Sequence, residues 1–266
     1  MSNIIAICNQ KGGVGKTTTA MNLGAALAKQ GKRVLLCDLD AQANLSEYLG
    51  FEEDDKPTIT ELFAVVAAQA YIEADTVKSS IRHNELNGVD YIPANINLAN
   101  ADVFLLNALS RETVLKRILT EDVTKDYDYV LIDCLPSLGV LLLNALAAAD
   151  SMLIPVQVQK FSIDGLKALT SLCNQVKATI NPQLYLLGIL PTMVEHTTVS
   201  RNAVQLLEDT YTDKLLRTQI HRSVEAAKSS ESGKALCLTS GSRLGEEYME
   251  LAEEVRELGW KKLLED

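Results

Sequence analysis

The fold is decided by the stretch Asn9-Gln10-Lys11-Gly12-Gly13-Val14-Gly15-Lys16-Thr17-Thr18, which directly follows the apolar run Ile4-Ile5-Ala6-Ile7-Cys8. Glycine adopts backbone conformations that other residues avoid, so a glycine-rich turn can point successive N–H groups into one concavity. Apolar residues from Ala20 to Leu27 then recur at helical spacing, and the N-terminus of a helix attracts anions. Strand, turn and helix in this order predict a phosphate-binding loop, with Lys16 along the β- and γ-phosphates and the Thr17 hydroxyl on Mg²⁺.

The start of this loop departs from the ordinary pattern G-x-x-x-x-G-K-[ST], because Gln10 occupies the place of the first glycine and a second lysine follows it. The segment Lys11-Gly12-Gly13-Val14-Gly15-Lys16-Thr17-Thr18 resembles the deviant Walker A motif of the ParA/MinD ATPases. The resemblance implies that these eight residues bind ATP and that Lys11 and Lys16 are catalytic. In that family the additional "signature" lysine, here Lys11, reaches across a nucleotide-sandwich dimer to the partner's phosphates.

Length and composition predict one domain over residues 1–266. Hydrophobic residues make up 47% of the 266 residues, enough for a large core, and no linker rich in proline, glycine or serine divides the chain. The longest apolar run, Leu138 to Ala149, is shorter than the roughly 18 to 20 residues of a membrane-spanning helix, and no signal peptide precedes the glycine-rich loop. We therefore expect a soluble, cytoplasmic protein.

The number and spacing of the cysteines also indicate a cytoplasmic protein. Their number is odd and none forms a Cys-x-x-Cys pair, which favours reduced, buried thiols over disulfides or a metal site. The five residues are Cys8, Cys37, Cys134, Cys173 and Cys237.

Two further apolar runs end in carboxylates. Arg33 to Asp38 is predicted to form a buried strand that continues into Asp38-Leu39-Asp40-Ala41-Gln42-Ala43-Asn44. Functional groups gather beyond the carboxyl ends of parallel strands, although an isolated Asp-x-Asp is equally consistent with helix capping. Tyr129 to Asp133 is typical of a strand that presents a Walker B aspartate to Mg²⁺; the alternative is a strand that merely ends in aspartate.

Both carboxylate segments extend the family resemblance. Asp-Leu-Asp-Ala-Gln-Ala-Asn is similar to the family's D-x-D-P-Q-x-N, and Asp133-Cys134-Leu135-Pro136-Ser137-Leu138-Gly139 is similar to D-C-P-P-S-L-G. The resemblance implies that Asp40 orients the attacking water, while Asp38 is structural or supports waters on Mg²⁺. The residues implied at the metal are Thr17, Asp40 and Asp133.

Strands and helices alternate through the rest of the chain. Strands are predicted at Val89 to Pro93, Ser151 to Val158 and Tyr185 to Leu190, and helices at Gly165 to Ile180 and Leu244 to Leu264. Residues 51–110 are less informative beyond the acidic loop of residues 52–55 and an alanine-rich helix. The alternation predicts an α/β fold, with a mostly parallel twisted sheet and helices on both faces. The family resemblance implies that this predicted α/β fold is that of a P-loop NTPase.

Charge limits where nucleic acid could bind. The chain has a net charge of −10, so any DNA contact must be a local patch. Residues 199–243 carry seven basic and five acidic side chains, a local balance of +2. That excess is consistent with a phosphate-binding patch and equally with ordinary solvated surface.

One segment of this region extends the resemblance. Ile220-His221-Arg222-Ser223-Val224, followed by Ser232-Gly233-Lys234, resembles the segment I-P-R-N-V…H-G-K of short ParA proteins. In that family an arginine at the place of Arg222 contacts DNA, and the surrounding loop borders the adenine. The sequence departs from the family's residues at Thr197, His221 and Glu225. The implied DNA-binding residues are Arg201, Arg222, Lys228 and Lys234. The implied nucleotide contacts are Thr192, Met193, Ile220 and Arg222.

The resemblance covers nearly the whole chain and implies a ParA/Soj-type ATPase that partitions plasmid or chromosomal DNA. It further implies ATP and Mg²⁺ as cofactors, a homodimer on ATP binding, nonspecific DNA binding, nucleoid association and a centromere-bound ParB-like partner. The alternative is a MinD-like ATPase at the membrane, favoured by the tail Trp260-Lys261-Lys262-Leu263-Leu264. Eight acidic residues between Glu246 and Asp266 oppose membrane association, because such helices favour a basic polar face. A metal-cluster or redox reductase of the same superfamily would need paired cysteines at a dimer axis. The cysteine spacing of this sequence offers no such pair.

Overall fold

The sheet has eight strands in the order β3-β4-β2-β5-β1-β6-β7-β8, and every neighbouring pair is parallel except β3 and β4. The structure is a computed structural model that describes residues 2–159 and 163–265, with the backbone alone for 260–265. The strands are β1 Asn3–Ile7, β2 Val34–Leu39, β3 Arg82–Asn84, β4 Val89–Ile92, β5 Tyr129–Cys134, β6 Ser151–Gln157, β7 Tyr185–Val194 and β8 Ile220–His221.

Helices connect these strands and cover both faces of the sheet. They are α1 Lys16–Lys29, α2 Asn44–Tyr48, α3 Ile59–Gln69, α4 Ala74–Ser79, α5 Ala101–Leu105, α6 Val114–Ile118, α7 Glu121–Thr124, α8 Val140–Ala148, α9 Ile163–Thr179, α10 Thr198–Tyr211, α11 Glu225–Ser232 and α12 Arg243–Glu265. Short 3₁₀ turns occupy Ile96–Asn100, Arg111–Thr113 and Leu236–Leu238.

The hydrophobic core has two layers because successive side chains of a strand point to opposite faces. In β1, Ile4 and Ala6 join the layer formed with α3, α6, α8 and α9, whereas Ile5 and Ile7 join the layer formed with α1 and α12. The sequence prediction of a mostly parallel α/β sheet with helices on both faces is confirmed.

The strand boundaries differ from the prediction mainly at the β7 edge. We predicted a strand that ends at Leu190, but β7 continues to Val194 because Thr192 and Val194 pair with Ile220 and His221 of β8. Neither β8, with two residues, nor the antiparallel edge strand β3, with three, is long enough to show a period. All five cysteines are buried and free, as predicted.

The C-terminal segment is helical as far as Glu265, in agreement with the predicted helix. The side chains of the tail Trp260 to Leu264, on which the membrane alternative depended, lie outside the described residues. Among the helices that the structure describes, none combines the length and the apolar character needed to cross a bilayer.

We predict that Gly245→Ala destabilises the packing of α12. A Cβ at this position would lie 2.4 Å from the carbonyl oxygen of Leu236, a backbone atom that cannot turn away. The free energy of unfolding should fall by about 1 to 3 kcal/mol, the usual cost of overpacking. Urea denaturation measures the change.

Gly259→Ala is the matched control on the same helix. Its Cβ would meet only the side-chain amide of Asn3, at 3.2 Å, and alanine is the better helix former. Equal unfolding free energies for the two variants would contradict the packing described for Gly245.

Candidate nucleotide site

The glycine-rich loop joins β1 to α1 at the carboxyl edge of the sheet. Gly13 and Gly15 have φ angles of +70° and +88°, a left-handed conformation that side chains rarely adopt. Lys16, the first residue of α1, is 7% exposed, and its Nζ donates a hydrogen bond to the carbonyl oxygen of Lys11 at 3.2 Å. The lysine therefore lies folded along the inside of the loop, where a phosphate would meet its charge.

Two hydrogen bonds fix the loop to the neighbouring strands. The Asn9 side-chain amide donates to the carbonyl oxygen of Pro155 in β6 at 2.8 Å. The Thr192 hydroxyl in β7 donates to the carbonyl oxygen of Val14 at 2.9 Å. The conformation of the loop thus depends on strands that are distant in sequence, and Thr192 contributes by holding the loop.

A buried carboxylate faces the loop from β5. Asp133 is 1% exposed, and within the described part of the chain neither of its oxygens accepts a hydrogen bond. Burial raises the pKa of Asp133 well above its ordinary value, and the neighbouring Asp38 raises it further. Thr17 and Lys16 lie close enough to oppose this rise, although the Thr17 hydroxyl does not reach good hydrogen-bond geometry.

Asp38 lies next to Asp133 because the two residues are register partners in β2 and β5. Its carboxylate accepts hydrogen bonds from the Ser46 hydroxyl at 2.7 Å, the Ser46 N–H at 2.9 Å and the Asp40 N–H at 3.1 Å. Burial raises the pKa of Asp38 to about 6 despite these donors. These contacts agree with a structural role, in which Asp38 fixes the start of α2 beside the site.

Asp40 lies just beyond β2 and is half-buried. One of its oxygens accepts a hydrogen bond from the Gln42 N–H at 2.9 Å, which fixes the turn that leads into α2. Its charge contributes to the raised pKa of Asp133, so the two carboxylates lie close together. The structure thus gathers four of the five residues predicted at the catalytic and metal sites into one cluster, Lys16, Thr17, Asp40 and Asp133, while Lys11 lies at the start of the loop.

This cluster fits a hard cation. Mg²⁺ takes oxygen ligands and often binds a phosphate together with one or two carboxylates. Asp133 offers two buried oxygens beside the hydroxyl of Thr17, and in the part of the chain that the structure describes neither accepts a hydrogen bond. An uncompensated buried charge is costly, and a bound cation would compensate it.

The far side of the site is formed by the ends of β7 and β8. Met193 has a φ angle of +52° at the irregularity where β7 pairs with β8, a strained conformation that persists where the surroundings impose it. Ile220 is 5% exposed and packs into the α1 and α12 layer. A cavity of about 350 Å³ opens beside them, lined by residues that include His221 and Arg222.

The four predicted DNA-binding residues, Arg201, Arg222, Lys228 and Lys234, are all exposed. Sequence reasoning missed a contact of Arg222, whose guanidinium forms an ion pair with Glu195 at 3.0 Å. Two residues separated by 27 positions on different elements carry no local pattern that would reveal such a pair. Glu195 therefore offsets part of the positive charge that DNA phosphates would meet.

Comparisons with known proteins agree with this geometry. Residues 2–186 match the family described as AAA domain. The sporulation initiation inhibitor protein Soj of Bacillus subtilis is 42% identical, over 96% of this chain and 98% of Soj. A structure of cobyrinic acid a,c-diamide synthase from Mycobacterium smegmatis with bound ADP and magnesium is 36% identical, with a TM-score of 0.79 and coverage of 95% of this chain and 93% of that one. A plasmid partition protein from Borrelia burgdorferi B31 bound to AMPPNP is 26% identical, with a TM-score of 0.76 and coverage of 98% and 100%.

The fold and the loop, with the carboxylates beyond β2 and β5, define the class of protein as a P-loop ATPase. Within that class the resemblance is confirmed over almost the full length of the chain. The chain belongs to the ParA/Soj family of partitioning ATPases.

We predict that Lys16→Ala abolishes ATP binding. The loop loses the one full charge directed at the terminal phosphates, and charge-assisted hydrogen bonds are the strong ones. Affinity for an ATP analogue should fall by about 100-fold or more by calorimetric titration. Lys29→Ala is the control at the other end of α1, where the lysine bonds the carbonyl oxygen of Cys237. If Lys16→Ala kept wild-type affinity for the ATP analogue, residues 12–18 would not be the phosphate site.

Proposed function

We propose that this chain binds ATP with Mg²⁺ and hydrolyses it in a nucleotide-sandwich dimer, with residues 1–266 acting as one ATPase domain. In this proposal the ATP-bound dimer binds DNA nonspecifically and the cycle partitions plasmid or chromosomal DNA. The observation that carries the proposal is the buried Asp133 beside Lys16 and Thr17, whose two oxygens accept no hydrogen bond from the described residues.

Some residues of the site would bind the nucleotide and the metal, and others would take part in hydrolysis. The loop N–H groups and Lys16 would bind the phosphates, while Thr17 and Asp133 would hold Mg²⁺, Asp133 directly or through a coordinated water. Bound Mg²⁺ would neutralise charge on the terminal phosphates. Met193, Ile220 and Arg222 are proposed to border the base of the nucleotide.

Asp40 is proposed to orient the attacking water. It is only half-buried, so water reaches its carboxylate, and the Gln42 N–H holds one of its oxygens in place. Asp38 cannot take this role as readily, because three donors occupy its carboxylate. Lys11, at the start of the loop, is proposed to cross the dimer interface and complete the partner's phosphate site, which would make hydrolysis depend on dimerisation.

DNA binding is proposed for the exposed basic residues directly after β8, in α11 and in the loop after it. Arg222, Lys228 and Lys234 are spread over a short segment, and a dimer would double their number. Phosphate contacts of this kind carry no sequence information and weaken steeply with salt. A basic, centromere-bound ParB-like protein is the proposed partner, and the nucleoid in the cytoplasm is the proposed location.

We predict that Asp40→Ala binds ATP normally but does not hydrolyse it, since its carboxylate positions water and does not hold nucleotide. The variant should accumulate as an ATP-dependent dimer, with turnover reduced by at least about 100-fold. Phosphate release and light scattering measure the two effects. Asp126→Ala, which removes an exposed carboxylate before β5, should behave as wild type. If turnover were unchanged in Asp40→Ala, another residue would position the attacking water, and Asp38 would be the next candidate.

We predict opposite effects on DNA binding from the two partners of the Arg222 ion pair. Arg222→Glu should weaken binding several-fold, while Glu195→Gln should strengthen it, because the guanidinium is then released to phosphates. Basal ATP hydrolysis should change little in either variant. Mobility-shift titrations at low and moderate salt, with and without ATP, measure both.

Arg33→Glu is the control for the change of net charge. Arg33 is an equally exposed arginine, but it precedes β2 at the amino edge of the sheet. If wild-type protein with ATP retains no DNA even at low salt, DNA binding is not the function of the patch and the MinD-like alternative moves ahead.

A further inference from the structure

The loop that carries Lys234 is fixed at every backbone position by buried polar side chains. Asn87 donates to the carbonyl oxygen of Gly233 and accepts from the Ala235 N–H, both at 2.8 Å. Asn22 accepts from the Leu236 N–H at 2.8 Å, and the Ser229 hydroxyl donates to the carbonyl oxygen of Lys234. The backbone of this loop is therefore rigid, while the ammonium group of Lys234 is exposed.

Tyr48 connects this loop to the nucleotide side of the molecule. It is the last residue of α2 and is 2% exposed, and its hydroxyl shares a hydrogen bond with the Ser229 hydroxyl of α11. The Asn22 amide of α1 donates to the same tyrosine oxygen at 3.4 Å and to the carbonyl oxygen of Thr18 at 2.8 Å. One buried hydroxyl thus joins α1, α2 and α11.

The other ends of α1 and α2 belong to the nucleotide site. Helix α1 begins at Lys16, and Thr18 lies in its first turn. Helix α2 begins at Asn44, after the turn that follows Asp40, and its Ser46 is bonded to the buried carboxylate of Asp38. A shift of α1 or of the Asp38 to Ser46 segment on nucleotide binding would therefore reach Tyr48 within one or two helical turns.

Because α11 packs closely against Tyr48, a shift that reaches Tyr48 would also displace α11. Gly233 ends α11 with a φ angle of +65°, and a Cβ there would lie 3.1 Å from the carbonyl oxygen of Tyr48. Ser229 is 5% exposed, so its hydroxyl has no water to replace the tyrosine as a partner. Movement of Tyr48 must move Ser229, or break a buried hydrogen bond.

We propose that Tyr48 is a positioning residue that couples the nucleotide site to α11 and the Lys234 loop, so that bound nucleotide sets the placement of Lys228 and Lys234 for DNA phosphates. The coupling acts through the Tyr48 and Ser229 hydroxyls, with Asn22 bracing both. The inference rests on the proposed function for its ligand, but the mechanical link is testable without DNA.

Hydrogen exchange of residues 225–238 tests the link directly. In wild-type protein, ATPγS with Mg²⁺ should change the exchange rates of this segment relative to the nucleotide-free protein. Tyr48→Phe should remove most of that change while ATPγS affinity and basal hydrolysis stay within about 2-fold, because Ser229 keeps Lys234 and Asn22 keeps Thr18 and Leu236 as partners. Ser229→Ala should also remove the nucleotide-dependent change, since it removes the bond shared with Tyr48 together with the bond to the carbonyl oxygen of Lys234, and the double variant should lose no more of that change.

Tyr127→Phe is the matched control. It also removes a half-buried tyrosine hydroxyl, but one that bonds Asp90 of β4 at 2.7 Å instead of α11, so it should keep the wild-type response. A purely structural role of Tyr48 would lower protection throughout the protein in both nucleotide states and leave the nucleotide-dependent difference intact. That outcome would overturn the coupling, as would a wild-type segment that does not respond to nucleotide.

DNA titrations separate this inference from the proposed function. If wild-type protein binds DNA more tightly with ATP, Tyr48→Phe should reduce that ratio by about 3- to 10-fold, the change that one neutral hydrogen bond represents. An unchanged ratio overturns the inference. If wild-type protein binds no DNA but Tyr48→Phe removes the exchange response, the coupling stands and the DNA-binding proposal fails.

Discussion

The structure depends on two carboxylates that are buried side by side where β2 and β5 end. Asp38 and Asp133 are register partners on adjacent parallel strands, so their charges must lie close together whatever their side-chain rotamers. Burial raises the pKa of both groups, and the neighbouring Asp38 raises that of Asp133 further. Asp38 is stabilised by three hydrogen-bond donors, whereas among the described residues Lys16 and Thr17 oppose the charge of Asp133 without a hydrogen bond of good geometry. This imbalance leaves Asp133 as the group that a cation would satisfy.

The order of the strands explains why the loop meets these carboxylates. Strand β1 lies between β5 and β6, so the glycine-rich loop leaves the sheet directly beside Asp133. Asn9 and Thr192 then fix the loop to β6 and β7, which adds the end of β7 to the same site. The strained backbone of Met193 is held where β7 turns towards β8. A single sheet edge therefore brings together groups from five strands.

Much of this arrangement could be predicted from the sequence, because the signals are local. The glycine-rich loop, the apolar runs that end in Asp38 and Asp133, and the alternation of strands and helices all lie within short windows. The missed features are pairings between distant residues: Thr192 with Val14, Arg222 with Glu195, and Tyr48 with Ser229. The hydrophobic periodicity of a sequence does not reveal such pairs, since each pair depends on how two distant segments pack together. The short strands β3 and β8 were missed for a related reason, because their pairing partners define them and their own sequences do not.

Asp133, which accepts no hydrogen bond within the described residues, is proposed to be buried so as to serve a bound cation, and thermal unfolding of Asp133→Asn tests this most directly. Removing the buried charge should raise the unfolding temperature of the nucleotide-free protein above that of wild type, since a neutral amide of the same shape costs less to bury than an uncompensated carboxylate. Mg²⁺ added with ATPγS should stabilise wild-type protein beyond ATPγS alone, because a ligand that binds only the folded state shifts the equilibrium towards it. The variant should gain nothing further from Mg²⁺. An equal gain from Mg²⁺ in both proteins, together with a nucleotide-free variant less stable than wild type, would show that Asp133 is a structural group and would contradict the account.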